Sequence, residues 1–365
     1  MHITDIFLII TGIYGNLYNI YAFRALANQN GGCILKSIVS GCARLIRGKG
    51  TMKMKMKKVF IDGSAGTTGL RIYERLTERG DIQLISLSDE ERKDVQARKQ
   101  ALNACDIAFL CLPDDAARGS VSLIENPDVV VLDTSTAHRT APGWVYGFPE
   151  ISPEQFGKIK SAKRIAVPGC HASGFVALIA PLVKEGVLKK NAHLAVTSVT
   201  GYSGGGKKMI GEYEDEGRSP LYKAPRLYAL GQQHKHLKEM MAVTGIENAP
   251  AFMPLSSDFY SGMEVIIPLF AGDLADGKTI EDVKSVYAAL YTGDIVKYRL
   301  SLDAGGYISA MTLSNKDSMH ICVEGNEERM TLIAVFNNLG KGASGAAIEC
   351  MNIVLGLDPA AGLDI

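Results

Sequence analysis

Cys170 is the residue of this sequence best placed to act as a nucleophile. A short apolar run ends at Val167, a Pro-Gly turn follows, and the apolar run FVALIAPLV begins after Ser173-Gly174. This order predicts a strand, a turn and a helix, with the thiol at the helix N-terminus. Unpaired backbone amides and the helix dipole would stabilise a thiolate there, so the pKa of Cys170 is expected to be lowered. A thiolate is the nucleophile that acyl transfer requires.

The remaining cysteines fit a different interpretation. Free cysteine is most often a small buried residue, and this suits those within or beside apolar stretches, which are Cys105, Cys111, Cys322 and Cys350. Seven cysteines without a C-x-x-C pair disfavour both a disulfide framework and a zinc knuckle. The pattern is typical of a reducing compartment and predicts a cytoplasmic location.

A histidine pair supplies candidate groups for proton transfer. The segment Gln232-Gln233-His234-Lys235-His236 precedes a helical pattern, and imidazole titrates near neutral pH, as proton transfer requires. Because residues two apart point in different directions on a strand or at a helix start, at most one ring is expected to face the thiol. A solvated polar loop is the alternative, and no further ligands with zinc-site spacing are present, so no metal site is predicted.

A glycine-rich loop at 63–69, GSAGTTG, is a candidate nucleotide-binding loop. It directly follows the apolar run VFID and opens a helical pattern, which is the context that a dinucleotide fingerprint requires. Glycines allow backbone amides at the helix start to approach a pyrophosphate. Ser64 departs from the strict fingerprint, and an ordinary turn is the alternative. The cofactor-binding residues predicted here are Gly63, Ser64, Gly66, Thr67, Thr68 and Gly69.

The end of the second apolar run bears on which cofactor is bound. Ser88 and Asp89 end the run, and Arg92 and Lys93 follow. An acid at this point suits the ribose of NAD, whereas a hydroxyl and nearby cations suit the 2′-phosphate of NADP. The sequence favours NADP(H), with Ser88 and Arg92 as cofactor-binding residues.

Alternating apolar and amphipathic stretches must position these groups. Continuous apolar runs predict buried parallel strands at 59–62, 82–87, 106–112 and 129–133, with helices between them at 67–79, 90–103 and 114–125. This is an α/β, Rossmann-like doubly wound pattern. A strand at 164–167 leads to Cys170. Longer strands at 193–200, 262–270, 319–325 and 329–337 predict a second, mixed or antiparallel sheet, and a helix is expected at 343–355.

Composition narrows the class of protein. A chain of 365 residues with 47% hydrophobic residues can form about two domains, and its 39 basic residues equal its 39 acidic ones. Balanced charge disfavours nucleic acid and membrane surfaces as partners and favours small molecules.

The apolar stretch 6–23 has only the minimum length of a membrane span, and Asn and Gly residues interrupt it. We interpret residues 1–56 as an N-terminal extension, either translated upstream sequence or disordered, rather than an anchor.

Eight motifs in order resemble the short-form N-acetyl-gamma-glutamyl-phosphate reductases, from about Lys57 to near the C-terminus. They are GSAGTTG (63–69), CLPDDAA (111–117), DTSTAHR (133–139), WVYGFPE (144–150), PGCHASG (168–174), TGYSGGGK (200–207), HKH (234–236) and NNLGKGASGAA (337–347). The resemblance implies NADPH-dependent reduction of an acyl phosphate through a thioester on Cys170. By the family motif, His234 is the first candidate for the acid/base. His236 is the second candidate, and it would bind substrate if His234 has that role.

Further site residues and the domain division follow from the residues and this resemblance together. Donors expected to bind substrate anions are Ser135, His138, Arg139, Ser203 and Lys207. A loop expected to return to the nicotinamide contributes Asn338, Gly340, Lys341 and Gly342. The expected division is an NADP-binding domain of 57–166 plus 337–365 and an α+β catalytic, substrate and dimerisation domain of 167–336 with a mixed sheet, assembled as a homodimer or homotetramer.

Three other functions compete with this interpretation. An aspartate-semialdehyde dehydrogenase or an aminoadipyl-phosphate reductase would share the glycine loop and the cysteine, so the segments 135–139 and 200–207 must discriminate between them. A nucleotide-binding regulatory protein would keep the fold without the chemistry, and the presence of both Cys170 and the histidine pair disfavours it. A membrane-anchored protein would depend on residues 6–23 alone.

Overall fold

A parallel six-stranded sheet organises the first half of the chain. The computed structural model describes Met56–Ile365, so the predictions made for residues 1–55, including the stretch 6–23, lie outside the described residues. The strand order is β2-β1-β3-β4-β6-β5. The strands are β1 (Lys57–Asp62), β2 (Ile82–Ile85), β3 (Ile107–Leu110), β4 (Val130–Asp133), β5 (Val145–Tyr146) and β6 (Arg164–Ala166).

Helices cover both faces of this sheet, which confirms the doubly wound prediction. They are α1 (Thr67–Thr77), α2 (Val95–Ala104), α3 (Asp114–Ser122) and α4 (Pro153–Ser161). One face packs on Ile72 and Ile159, and the other packs on Leu102. β3 and β4 are buried along their whole length, which explains why their sequences are continuously apolar. The predicted helix at 90–103 begins later, because the Asp94 carboxylate accepts a hydrogen bond from the Gln96 amide and caps α2.

The second sheet has seven strands in the order β11-β12-β13-β10-β7-β9-β8. Its strands are β7 (Ala195–Gly201), β8 (Arg226–Leu227), β9 (Ala251–Ser257), β10 (Met263–Phe270), β11 (Val296–Tyr298), β12 (Met319–Gly325) and β13 (Arg329–Phe336). β10, β12 and β13 pair antiparallel, whereas β7 and β9 pair parallel, so the sheet is mixed as predicted. The helices of this half are α5 (Cys170–Lys184), α6 (Gly206–Glu214), α7 (His236–Thr244) and α8 (Ile280–Leu290).

Four strands were not predicted from the sequence. β5, β8 and β11 have only two or three residues, which is too short for a periodic signal. β9 contains Pro254, and proline argues against a strand because it cannot donate to the ladder. The structure accommodates it because β8 pairs with β9 only at Leu255 and Ser256.

The last helix, α9 (Gly345–Leu355), returns to the first sheet. It begins two residues after the predicted start because a wide turn, Gly340–Ser344, precedes it. Ala347, Ile348 and Met351 pack in the same core as Val59 of β1. Within Met56–Ile365, no helix combines the length and the apolarity needed to cross a bilayer.

Candidate active site

The thiol, the histidine pair and the nucleotide loop open onto one cavity. This central cavity of about 430 Å³ is lined by Cys170, by His234 and His236, and by Thr67 and Thr68 of the glycine loop. These residues lie up to 169 positions apart in the chain, counted from Thr67 to His236. They meet because the loop after β1, the start of α5 and the start of α7 converge on the cavity.

Cys170 is the first residue of α5. Gly169 is the N-cap and no side chain caps the helix, so its first amides are left for a ligand. A Cβ placed on Gly169 would overlap the Arg139 guanidinium and the His236 ring, so only glycine fits before the thiol. A Cβ on Gly342 would lie 3.1 Å from the Cβ of Cys170, which places the loop before α9 against the thiol.

The predicted lowering of the Cys170 pKa is wrong. Burial raises the pKa of the thiol, and the charge of Arg139 and the backbone amide of His171 lower it by less than burial raises it. The helix start favours the thiolate, but the low-dielectric wall of the cavity disfavours the charged form by more. Cys170 is therefore a neutral thiol at neutral pH and needs a neighbouring base.

Both histidines line the cavity, with their ring planes nearly perpendicular to each other. Their centroids are 4.6 Å apart. The segment before α7 is irregular, with Gln232 at a φ of 55°, so the side-chain alternation of a strand does not apply. Burial is the main cause that lowers both pKa values, to about 4 for His234 and well below 6.5 for His236. Both imidazoles are neutral at pH 7.

The two rings differ in their hydrogen bonds. The Nδ1 atom of His234 accepts the backbone N–H of His236 at 3.1 Å. The proton of the neutral His234 ring is therefore on Nε2, which makes that atom a donor. Nδ1 of His236 is buried and has no hydrogen-bond partner among the described residues. His236 is thus the ring whose lone pair is not already engaged.

A third histidine, His171, packs against the rings of His234 and His236. Its Nδ1 lies 2.7 Å from the Ser198 hydroxyl and its Nε2 lies 2.6 Å from the Tyr228 hydroxyl. Its ring centroid is 5.6 Å from that of His234 and 5.5 Å from that of His236. Burial lowers the pKa of His171 to about 3, so this ring stays neutral and serves as a fixed wall rather than as a proton donor.

A buried ion pair borders the cavity beside the thiol. The Arg139 guanidinium donates to the carbonyls of Val167 at 2.9 Å and Thr134 at 3.0 Å, and to the Glu239 carboxylate at 2.9 Å. The other oxygen of Glu239 accepts from the Gly169 amide at 2.8 Å and from the Tyr146 hydroxyl at 2.7 Å. All of the donating nitrogens of the guanidinium thus have partners within the protein.

The glycine loop has the shape that a dinucleotide pyrophosphate requires. Gly63 has a φ of 88° and a Cβ there would overlap the carbonyl of Cys111. The N-cap of α1 is Gly66, and no side chain caps this helix either. A second cavity of about 270 Å³ shares Thr67 and Thr68 with the central cavity and also includes Gly66. The free amides at the start of α1 therefore face space that continues to the thiol.

A third cavity lies at the other end of the loop. It has about 260 Å³ and is lined by Ser64, by the end of β2 and by Arg92. Arg92 pairs with Asp89 in a short contact. The Ser88 hydroxyl accepts from the Glu91 amide at 3.2 Å. The three cavities between Arg92 and Cys170 fit an extended dinucleotide. The adenosine ribose would lie near Arg92, and the nicotinamide would lie near the thiol.

Comparisons with known proteins agree with this geometry. Residues 58–159 match the family description "Semialdehyde dehydrogenase, NAD binding domain", and residues 170–338 match "Semialdehyde dehydrogenase, dimerisation domain". The chain is 42% identical over 323 residues to N-acetyl-gamma-glutamyl-phosphate reductase 2 of Nostoc sp., covering 85% of this chain and 100% of that protein. It is 44% identical over 305 residues to the reductase of Allorhizobium ampelinum, covering 82% and 98%. The chain belongs to the N-acetyl-gamma-glutamyl-phosphate reductase family.

Solved structures share the fold at much lower identity. Aspartate semialdehyde dehydrogenase II of Vibrio cholerae is 16% identical, with a TM-score of 0.64 over 83% of this chain and 99% of that one. The Candida albicans aspartate semialdehyde dehydrogenase, solved with NADP, is also 16% identical, with a TM-score of 0.60. These likenesses confirm the fold class predicted from the sequence, and the resemblance to the reductase family is confirmed by the closer relatives.

Two lysines predicted for the site lie apart from the cavity of this reductase-family fold. Lys341 is 1% exposed, and its ammonium pairs with Glu150 at 2.7 Å and with Glu349. It therefore anchors the loop before α9 rather than binding cofactor. Lys207 is exposed and does not line the central cavity. The predictions of Lys341 and Lys207 as ligand-binding residues do not fit these positions.

His138 has a structural partner instead of a ligand. Its Nδ1 lies 2.6 Å from the Asp133 carboxylate, and its ring stacks on Trp144 with centroids 4.0 Å apart. Ser135 also donates to Asp133, at 2.8 Å, but it lines the second cavity. The two residues hold the loop after β4 in shape, and Ser135 also lines a cavity.

The loop before α9 is divided between the cavity and the protein interior. Gly342 and Asn338 line the central cavity. Asn338 donates to the Ser203 hydroxyl at 3.0 Å and accepts from the Gly262 amide at 2.9 Å, so it links two substrate-side loops. Gly340 packs against the carbonyl of Lys316, where a Cβ would approach to 2.5 Å. Of the residues predicted for this loop, Asn338 and Gly342 reach the site.

Four residues of the site were not singled out from the sequence. Lys235 lines both the central and the second cavity, and its place between the two histidines was a signal that could have found it. His171, beside the thiol, was available in the same way. Glu239 and Tyr228 carried no local signal, since their roles depend on contacts with segments 57 or more positions away.

Proposed function

We propose that the chain reduces N-acetyl-γ-glutamyl phosphate to N-acetylglutamate semialdehyde and phosphate with NADPH, in arginine biosynthesis. The observation that carries this proposal is the meeting of Cys170, two neutral imidazoles and the glycine loop at one cavity. A thiol, a proton acceptor and a dinucleotide site are what thioester-forming reduction requires. The named relatives at 42–44% identity supply the substrate.

The first half of the reaction forms a thioester. His236 accepts the thiol proton while the sulfur of Cys170 attacks the acyl carbon, the bond from that carbon to the phosphate oxygen breaks, and phosphate leaves. A neutral base suits this step because the pKa of Cys170 is raised and the pKa of His236 is lowered. The proton therefore moves only as the new bond forms, and no ion pair is held at rest.

The second half returns the proton. NADPH held at the glycine loop would supply the hydride that reduces the thioester. His234 lines the cavity, and its Nε2–H, left as a donor because Nδ1 is engaged, would stabilise the developing oxyanion. The protonated His236 then gives its proton back, the bond between carbon and sulfur breaks, and the aldehyde departs with Cys170 again a thiol. The roles that the family resemblance implied are thereby exchanged, with His236 as acid/base and His234 as donor.

The phosphate of the substrate needs a cation that is not already paired. Arg139 and Lys235 are the cationic side chains on the central cavity. The guanidinium is held by two carbonyls and Glu239, whereas Lys235 forms no ion pair within 4.0 Å among the described residues. We assign the phosphate to Lys235 and to the amides at the start of α1 and α5, with Ser203 on the same wall.

Lys235→Met is expected to raise the KM for inorganic phosphate in the reverse reaction roughly 10- to 100-fold, since a charged hydrogen bond contributes about 1.5–3 kcal/mol. The KM for the semialdehyde should change little. Lys207→Met is the matched control, because Lys207 is a lysine outside the central cavity. Equal effects of the two substitutions on the phosphate KM would contradict the assignment.

NADP(H) fits the residues around the glycine loop. The free amides that follow Gly66 would hold the pyrophosphate. Arg92 lines the third cavity, where a guanidinium suits a 2′-phosphate, and Ser88 lies close to it in sequence. Gly342, against the thiol, would border the nicotinamide end.

The domain division, assembly and location belong to the same proposal. An NADP-binding domain of 57–166 plus 337–365 is supported by the packing of α9 on β1. A catalytic and dimerisation domain of 167–336 is supported by the matched dimerisation family, and we propose a homodimer or homotetramer. A cytoplasmic location agrees with free thiols throughout the described residues.

The substrate is tested by phosphate-dependent reduction of NADP with N-acetylglutamate semialdehyde beside aspartate semialdehyde. The first should turn over with the higher kcat/KM. An equal or higher value for aspartate semialdehyde would replace the named substrate with that of the related dehydrogenases. An aminoadipate semialdehyde derivative, run in the same assay, tests the remaining alternative.

A further inference from the structure

One wall of the central cavity takes no part in the chemistry described above. Cys170, the histidines and the glycine loop surround the reacting carbon and the cofactor, but Met209 of α6 and Ser256 of β9 line the same cavity. A substrate that is attacked at one end must place its other end on a wall that neither the thiol nor the cofactor loop supplies. Met209 and Ser256 form such a wall.

Ser256 carries a buried hydroxyl with a weak partner. The residue is 2% exposed and lies opposite Thr200 where β9 pairs with β7. Among the described residues, its hydroxyl donates to the thioether sulfur of Met209, at 3.4 Å, and to no other acceptor. A thioether is a weak acceptor, and a hydroxyl hydrogen can rotate toward a better one. A carbonyl oxygen placed in the cavity would therefore replace the sulfur as the acceptor of this hydrogen bond.

Met209 turns its side chain back over the start of α6. It lies in the first turns of that helix, and helical side chains lean toward the N-terminus. A Cβ on Gly205 would lie 2.5 Å from the Cβ of Met209 and 2.7 Å from its terminal methyl, so glycine at that position leaves room for the thioether. An unbranched thioether is an adaptable apolar surface. The wall thus offers contact for a methyl group beside a hydroxyl that can donate.

The charge of the lining disfavours a free amine at this place. Arg139 and Lys235 are cationic, and none of the described residues that line the cavity is aspartate or glutamate. The α-amino group of a free amino acid is an ammonium at pH 7, and a buried ammonium without a counter-charge is costly. An acetylated nitrogen is neutral, and its acetyl group supplies both a carbonyl oxygen and a methyl.

We propose that Ser256 and Met209 bind the N-acyl group of the substrate and limit its length. The Ser256 hydroxyl donates to the acyl carbonyl oxygen, and the Met209 thioether packs against the acyl methyl. The two residues form an N-acyl subsite at the end of the cavity away from the reacting carbon. They distinguish an acylated substrate from a free amino acid, and a short acyl group from a longer one.

Ser256→Ala is expected to raise the KM for N-acetylglutamate semialdehyde about 3- to 10-fold, as for the loss of one neutral hydrogen bond. The kcat and the KM values for phosphate and NADP should change little. Ser257→Ala is the matched control, because the hydroxyl of Ser257 is buried without a partner among the described residues and does not line the cavity. An unchanged semialdehyde KM in Ser256→Ala, or an equal rise in Ser257→Ala, would overturn the role of Ser256.

Met209→Ala tests the limit on acyl length. The full-length protein is assayed by phosphate-dependent reduction of NADP with the N-acetyl and the N-propionyl derivatives of glutamate semialdehyde. Wild type should have the higher kcat/KM for the acetyl substrate. The shortened side chain should shift the ratio of the two kcat/KM values roughly tenfold toward the propionyl substrate, as expected for one methylene in an apolar pocket.

Two further variants separate acyl recognition from loosening of the helix. Met209→Leu keeps most of the side-chain volume, so its ratio should stay near that of wild type. Ile210 is the next residue of α6 and does not line the cavity, so Ile210→Ala should leave the ratio unchanged. General damage to α6 lowers turnover of both substrates together. A ratio in Met209→Ala equal to that of wild type would therefore overturn the role of Met209.

The N-acyl subsite rests on the proposed function, and the same assay separates the two. If wild type turns over aspartate semialdehyde as well as N-acetylglutamate semialdehyde, the proposed function fails and the subsite fails with it. If wild type prefers the N-acetyl substrate while Ser256→Ala keeps its KM and Met209→Ala keeps its ratio, only the subsite fails.

Discussion

Replacing Cys170 with serine is expected to lower kcat roughly 10³-fold or more. The buried thiol already has a raised pKa, and a serine hydroxyl in the same place is a far weaker acid that neutral His236 cannot activate to the same extent. The helix start, the cation and the glycine loop all remain. The loss should therefore fall on kcat, measured as semialdehyde-dependent reduction of NADP, with binding of NADPH followed by fluorescence unchanged.

Cys111→Ser is the control for this substitution. Cys111 lines the second cavity, and burial raises the pKa of its thiol to about 12, so it is an unreactive thiol near the same site. Its variant should keep most of the activity. Retention of normal turnover by Cys170→Ser would exclude a thioester on this residue.

His236→Asn should lower kcat by about 10²- to 10⁴-fold at pH 7. The wild-type base is neutral above its pKa, and burial lowers the pKa of His236 well below 6.5. Activity should therefore persist as the pH falls below 6.5 and be lost only as the ring becomes protonated. In the variant this acid limb disappears. Its residual rate should instead rise with pH toward the raised pKa of Cys170, because the thiolate fraction then increases without a base.

His234→Asn separates the two rings. An Asn side-chain oxygen can still accept the backbone N–H of His236, as Nδ1 of His234 does, so the start of α7 should be preserved. The loss of one oxyanion donor is expected to cost less than the loss of the base, and the acid limb should remain. A pH profile that loses its acid limb in His234→Asn and keeps it in His236→Asn would exchange the two roles.

Local patterns were sufficient for the order of elements from β1 to β4. Strands buried on both faces must be continuously apolar, so β3 and β4 could be predicted from their apolar runs alone. Gly63 marks the turn before α1, because few other residues adopt its φ of 88° or fit against the carbonyl of Cys111. The short strands and β9, with its Pro254, could not be found in this way, since their pairing depends on distant neighbours.

The sequence by itself determined the fold class, the position of Cys170 at the start of a helix and the membership of the motifs in one family. Only the tertiary structure decided the electrostatics of the site. The pKa of Cys170 is raised rather than lowered because burial outweighs the helix start. Lys341 is turned away from the cavity. Lys235 lines the cavity, and Glu239 lies beside it. Burial and charge pairing depend on residues far apart in the chain, and no local pattern contains them.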